Sequence, residues 1–163
     1  MSDSSKETKS YLSFRLGSEH FGIEVAKIIE ILEVPRITKV PHAPNYMKGV
    51  VNLRGGVLPV IDTRVKFGMT ETTLGIETCI IVLNIVINEE KLTVGAMVDA
   101  VSEVFELEAS EIQPSPAIGT KYKPEFIKGM MRFKDQFLML LNIDKVFSAG
   151  DAEAIAELRQ DVA

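Results

Sequence analysis

The sequence repeats itself, and this repeat constrains the fold more than any other feature. When the chain is slid along itself by 73 positions, residues 22–33 fall on residues 95–106, and four of the 12 positions are identical. Ordinary composition would give about one identity. A second block, residues 46–51, matches residues 126–131 at an offset of 80. Two blocks in the same order indicate an internal duplication, with seven extra residues in the second copy that fit best in the loop 117–124.

The size of each copy predicts how the two copies are arranged. A unit of roughly 65–75 residues is near the lower limit for independent stability. We therefore expect the two copies to share a hydrophobic interface. Two pseudo-symmetric halves packed in this way enclose a groove, which is a natural binding surface.

The local patterns predict an all-β chain with small sheets or barrels. Apolar residues alternate with polar ones over residues 12–16 and again from Phe21, as in half-buried strands. Arg54-Gly55-Gly56 lies between two apolar β-branched runs and predicts a tight hairpin turn. Residues 68–75 show no core pattern and are predicted to form a loop. Ile155, Leu158 and Val162 recur at helical spacing, which predicts a short C-terminal helix over residues 149–163.

Composition and motifs argue against most kinds of catalytic or cofactor-binding protein. The net charge of −5 is the wrong sign for a protein that grips nucleic-acid phosphates. One cysteine, Cys79, permits neither an internal disulfide nor a multi-cysteine metal site. We find no glycine-rich phosphate loop, no HExxH spacing and no Ser-His-Asp arrangement, and we expect no cofactor and no enzyme activity. The longest apolar stretch, residues 79–87, is too short to cross a membrane, and the polar N-terminus resembles no signal peptide. We therefore expect a cytoplasmic protein without membrane insertion.

Recognition of a partner through the protein surface is the remaining role. Arg54 is the main candidate for a residue that contacts such a partner. The residue is predicted at the tip of a hairpin beside Leu53, and arginine next to an apolar side chain is common at binding hot spots. An ordinary solvated turn arginine is the alternative. Glu30 recurs as Glu103 in the second copy, although both could be plain exposed residues. Asp62 and Asp99 follow apolar runs and are candidates for capping turns.

The motifs of both halves resemble those of the CheW coupling proteins of bacterial chemotaxis. The most specific is Gly-Val-Val-Asn-Leu-Arg-Gly-Gly-Val-Leu-Pro-Val-Ile-Asp at residues 49–62. Further similar pieces are Phe-Arg-Leu-Gly at residues 14–17, Phe-Gly-Ile-Glu-Val at 21–25, Ile-Thr-Lys-Val-Pro at 37–41, Gly-Ala-Met-Val-Asp-Ala-Val at 95–101, Ile-Gln-Pro-Ser-Pro at 112–116 and Ile-Lys-Gly at 127–129. The resemblance covers about residues 11–148.

The resemblance implies a fold of two SH3-like, five-stranded β-barrels packed on a shared hydrophobic core. It divides the chain into a flexible tail (residues 1–10), one CheW-like domain (11–148) and the C-terminal helix (149–163). The two barrel subdomains would span about residues 11–70 and 76–148, with strand exchange between them possible.

The resemblance also implies a non-enzymatic adaptor, recruited to membrane receptor arrays, that couples chemoreceptors to the histidine kinase CheA. The receptor's cytoplasmic hairpin tip would bind the groove between the barrels, whereas the kinase contacts cannot be placed. Carried over position by position, the receptor-binding residues would be Ile28, Glu30, Arg54, Cys79, Ile80, Gly95 and Val101. Ile28 and Cys79 stand where the family commonly has valine-like residues. A coupling protein of a pilus-type or other non-swimming chemosensory pathway remains an alternative, as does a small-molecule-binding barrel.

Overall fold

The described part of the chain contains ten strands, which form two curled five-stranded sheets, here called barrel one and barrel two. The computed structural model describes residues 8–114, 124–133 and 135–162. Barrel one contains β1 (Thr8–Leu16), β2 (Glu19–Glu24), β8 (Ala100–Glu108), β9 (Ile127–Phe133) and β10 (Gln136–Leu141), in the spatial order β8-β1-β2-β10-β9. Barrel two contains β3 (Ile28–Glu33), β4 (Met47–Leu53), β5 (Gly56–Asp62), β6 (Cys79–Ile87) and β7 (Glu90–Val98), in the order β3-β6-β7-β5-β4.

Both barrels are built by exchanging strands between the two halves of the sequence. Barrel one takes its hairpin β1–β2 from the first half of the sequence and three strands from the second half. Barrel two takes three strands from the first half and its hairpin β6–β7 from the second half. Strands β1 to β5 of the first half correspond in order to strands β6 to β10 of the second half. With this correspondence, the two sheets have the same strand order. In each sheet one pair is parallel, β2 with β10 and β5 with β7. The duplication read from the sequence is therefore present as an internal pseudo-two-fold symmetry.

The shared core lies between the barrels, where their facing sides meet. Barrel one contributes residues such as Phe14 and Phe21, and barrel two contributes Ile81, Leu83 and Ile85. Each barrel also has a small interior of its own. The interior of barrel one holds Tyr11, Leu107, Leu138 and Leu140, and that of barrel two holds Val51, Leu58, Val60, Ile80, Val82 and Met97.

Three short elements follow the strands and complete the core. Helix α1 (Thr63–Lys66) follows β5, and α2 (Ile143–Val146) follows β10 at the pseudo-equivalent place. Helix α3 (Ala149–Val162) confirms the predicted C-terminal helix and buries Ala152 and Ile155 in the shared core.

Two local expectations need correction. Strand β1 begins at Thr8, inside the segment expected to be a tail, because Thr8 pairs with Glu108 of β8. Residues 68–75 form the predicted loop, but this connector does contribute a buried residue, because Thr72 is buried and donates to Asp62. Asp62 also accepts from two backbone N–H groups of α1, so the predicted capping role is confirmed. The expected insertion over residues 117–124 lies almost entirely outside the described residues.

Candidate functional site

The β4–β5 hairpin presents Arg54 at its tip in a strained backbone conformation. Leu53 pairs with Gly56, so the loop consists of Arg54 and Gly55 alone. Both have positive φ, 51° and 82°, which is the geometry of a two-residue hairpin turn. The Asn52 side chain accepts a hydrogen bond from the Gly55 N–H and supports the turn. An arginine seldom adopts left-handed φ, and such outliers cluster at functional sites.

Arg54 forms a two-pronged ion pair with Glu30 of β3. Arg54 Nη2 donates to Glu30 Oε1 at 2.8 Å, and Nη1 lies 2.6 Å from Oε2. This hydrogen bond and the charge of the carboxylate raise the pKa of Arg54. The arginine side chain is 72% exposed whereas that of Glu30 is 22% exposed. The sequence had singled out both residues independently, and the fold brings them together.

A bulge in β3 divides the apolar residues of this strand between two faces. Ile28 pairs with Leu83, but Glu30 pairs with Val82, so one extra residue is inserted between them. Leu83 belongs to the shared core and Val82 to the interior of barrel two. Ile28 therefore packs on the shared core, while Glu30 lies on the interior face.

At the bulge and beyond it, β3 exposes two isoleucine side chains. Ile31 pairs with Ile81, so its side chain looks toward the shared-core side, yet it is 44% exposed. Ile29 is 47% exposed. Strand β3 is an edge of its sheet.

Strand β8 presents matching apolar residues at the edge of barrel one. Val101 pairs with Phe14 and Val104 with Leu12, so both point toward the shared-core side. Val104 is nevertheless 58% exposed. The pseudo-symmetry relates Ile28 to Val101 and Ile31 to Val104.

Cys79 joins these two edges. Cys79 pairs with Glu33 at the end of β3 and belongs to the shared core, against which Val101 packs. Burial raises the pKa of the thiol, and the backbone of Val101 lowers it by a smaller amount. We call the apolar strip along the two edges the seam. It consists of Ile28, Ile29, Ile31, Cys79, Val101 and Val104.

The structure places Ile80 and Gly95 inside barrel two, so these two candidates present no surface to a partner. Ile80 is fully buried. Gly95 faces it, and a Cβ at Gly95 would lie 2.7 Å from Ile80 Cγ2 and 3.2 Å from Leu58 Cδ2. Gly22 has the same role in barrel one, where a Cβ would lie 2.9 Å from both Leu138 and Leu140 side chains. The absence of a side chain at these positions allows the barrel interiors to close.

The candidate residues predicted from the sequence do not include the exposed Ile29, Ile31 and Val104. A signal was available, because Ile29 and Ile31 alternate with Glu30 and Leu32, which gives β3 apolar residues on both faces. Such a strand needs a covering layer on each side. The alignment of Ile31 with Val104 in the repeat pointed to the same property in β8.

The described residues contain neither a cluster of metal-ligating side chains nor a helix suited to cross a membrane. Among them, no three His, Cys, Asp or Glu side chains are grouped so that they could hold a metal ion. Within the same residues, no helix combines the length and apolar character that a membrane crossing requires. The seam exposes the side chains of Ile29, Ile31 and Val104, and the hairpin tip exposes the Arg54 guanidinium.

Fold and site together define a double-barrel binding module with an apolar seam between its barrels. The family model for the CheW-like domain matches residues 10–151, and the chain belongs to this family.

Individual relatives agree with this assignment. The chain is 36% identical to Chemotaxis protein CheW of Klebsiella aerogenes over 143 residues, covering 88% of this chain and 84% of the relative. It is 32% identical to Chemotaxis protein CheW of Rhizobium meliloti over 146 residues, covering 90% and 92%. The crystal structure of the scaffolding protein TtCheW from Thermoanaerobacter tengcongensis superposes with a TM-score of 0.77 at 28% identity, covering 89% of this chain and 91% of that one.

Proposed function

We propose that this protein is a non-enzymatic adaptor of bacterial chemotaxis that couples chemoreceptors to the histidine kinase CheA. Membership of the CheW-like family supports the pathway. The observation that carries the proposal is the seam, where Ile29, Ile31 and Val104 expose apolar side chains on two edge strands. Exposed apolar surface of this kind marks interaction sites. The protein would work in the cytoplasm, at receptor arrays.

The receptor's cytoplasmic tip is the proposed occupant of the seam. The tip is a helical hairpin, and an amphipathic helix places apolar residues three and four apart along one face. The seam offers isoleucine and valine side chains to that face. The Arg54–Glu30 pair, on the other face of β3, adds a charged group with several donors. The kinase would bind elsewhere, through barrel ends that meet its homologous regulatory domain.

Replacing Val104 with aspartate tests the seam directly. Val104→Asp puts a charge into the proposed interface, and we expect receptor-hairpin binding to fall at least tenfold, because charge burial without a partner is costly. Co-sedimentation with receptor cytoplasmic fragments measures the affinity, and circular dichroism verifies the fold. Leu74→Asp is the matched control, because Leu74 is equally exposed at 58% but lies in the connector. Equal binding by the two variants would exclude the seam as the receptor site.

Arg54→Ala tests the second part of the site. Removal of the side chain should sharply weaken receptor co-sedimentation and leave the circular dichroism spectrum unchanged, since the residue is exposed. Unchanged binding would remove Arg54 from the proposal. A pull-down from a cell extract, probed for a histidine kinase and a chemoreceptor, tests the coupling itself. Recovery of only one of the two would contradict an adaptor role.

A further inference from the structure

Asp99 is the single residue at which the chain passes from barrel two to barrel one. Strand β7 ends at Val98 and β8 begins at Ala100. The crossover is therefore as short as it can be, and its geometry sets where β8 starts. Val101, which packs against the same shared core that contains Cys79, is two residues further on.

The Asp99 carboxylate is bound by groups from both barrels. Its Oδ2 accepts a hydrogen bond from the Gly17 N–H, in the β1–β2 turn of barrel one, at 2.6 Å. The same oxygen accepts from Arg64 Nη1, on helix α1 that follows strand β5 of barrel two, at 2.8 Å. The backbone N–H of Asp99 donates to the Arg15 carbonyl at 3.1 Å. The Asp99 side chain is only 12% exposed, so these contacts are poorly screened by water.

The pseudo-equivalent crossover, from barrel one to barrel two, is also held by an ion pair. Here the crossover residue carries the positive charge and the helix residue carries the negative charge. Residues 25–27 connect β2 to β3, and Lys27 lies 2.7 Å from Asp144 of α2. Asp144 occupies the place in the second half that Arg64 occupies in the first, at the offset of 80. Asp144 also accepts from the Val86 N–H of barrel two. Each crossover is thus linked by an ion pair to the short helix of the other half.

We propose that Asp99 is a positioning residue for the seam, holding the start of β8 so that Val101 rests against Cys79 and the spacing of the two edge strands is set for a helical partner. The inference rests on the proposed function for the identity of that partner. The part concerning Asp99 and the seam rests on the contacts alone. One carboxylate oxygen joins the two barrels at the point where the seam begins.

Cys79 supplies a built-in probe, because it is the one cysteine of the chain and is 8% exposed. The rate at which a thiol reagent modifies it in the native protein reports opening between Val101 and Cys79. Asp99→Ala removes the acceptor for both donors and should raise this rate about tenfold. Asp99→Asn keeps a carbonyl oxygen for the same donors and should restore most of the protection. Glu71→Ala, which removes a connector carboxylate paired with Lys48 of β4, should leave the rate unchanged.

The Cys79 modification rate could also rise because the whole fold is less stable. Asp151→Ala, a variant in α3, serves as the reference for this general destabilisation. The rates are compared at equal free energy of unfolding, adjusted with urea. A faster Cys79 modification in Asp99→Ala than in Asp151→Ala supports the positioning role of Asp99. Equal rates in the two variants would overturn that role.

The receptor measurement distinguishes this inference from the proposed function. Hairpin binding should fall about tenfold in Asp99→Ala and less in Asp99→Asn. If Arg54→Ala and Val104→Asp weaken binding but Asp99→Ala does not, the positioning role is wrong and the receptor site stands. If none of these variants affects binding, the proposed function fails. The thiol rates then decide by themselves whether Asp99 holds the seam.

Discussion

At the residue scale, Arg54 combines a backbone conformation that disfavours it with a side-chain pairing that holds it in place. Its φ of 51° belongs to the left-handed region, where Asn and Gly are preferred in two-residue hairpin loops. The pair with Glu30 is mostly exposed, and such pairs add little to stability. Neither the φ angle nor the ion pair therefore makes arginine the most stabilising residue for this turn.

Arg54→Asn should separate stability from binding. Asparagine followed by Gly55 is the favoured sequence for this turn, so we expect Tm to rise by roughly 2 °C. Receptor binding should fall by about tenfold or more, because the guanidinium is lost. Thermal unfolding and co-sedimentation measure the two effects. A lower Tm with binding intact would show that the arginine serves the turn rather than the partner.

At the element scale, helix α3 is fastened to the barrels by a charged cluster at its first turn. Asp151 accepts hydrogen bonds from the Tyr46 hydroxyl, from Lys66 Nζ at 2.6 Å and from the Ser148 N–H at 2.8 Å. The Lys66 ammonium also lies 4.5 Å from the centre of the Tyr46 ring. Burial raises the pKa of Asp151, but the hydrogen bonds outweigh burial and hold it below its usual value. Burial and Asp151 both raise the pKa of Tyr46.

The pH dependence of stability follows from these two shifts. A lowered carboxyl pKa gives stability that is present above the unfolded value of about 4 and is lost as the pH falls further. A raised tyrosine pKa gives stability that is present below about pH 10 and is lost above it. Asp151→Asn should cost about 2 kcal/mol at neutral pH and flatten the loss of stability below pH 4. Urea unfolding at a series of pH values measures the loss at neutral pH and the pH dependence below pH 4. If the variant loses stability below pH 4 as steeply as the original protein, Asp151 is not the titrating group.

At the scale of the whole molecule, strand exchange makes the two barrels one folding unit. Each barrel lacks part of its sheet unless the other half of the chain is present. The shared core adds to this coupling because its side chains come from both barrels. We therefore propose that neither half, about residues 11–70 or 76–148, forms a stable barrel alone.

Cutting the connector tests this coupling. A protease site placed after Leu74, next to the fully exposed Ile76, should be cleaved without loss of the fold. The two fragments should co-elute in gel filtration and unfold in one urea transition, because their strands are paired within both sheets. Separate elution of the fragments under native conditions would contradict a single cooperative unit.

The candidate site was only partly predictable from the sequence. The hairpin tip at Arg54 followed from two glycines between β-branched runs, which is a local signal. The burial of Ile80 and Gly95 did not, because alternation shows which residues share a face but not what covers that face. The bulge in β3 changes the face of Ile28 relative to Glu30, and such an insertion depends on pairing with β6.

By itself, the sequence determined the duplication, the all-β class, the hairpin turns and the closing helix, because each depends on residues close together in the chain. Only the tertiary structure decided that the halves exchange strands, that Arg54 reaches Glu30, and that Asp99 joins both barrels. These contacts join residues 24 to 82 positions apart. They form only once the long-range strand pairs are made, since the loops that bring them together have no preferred conformation of their own.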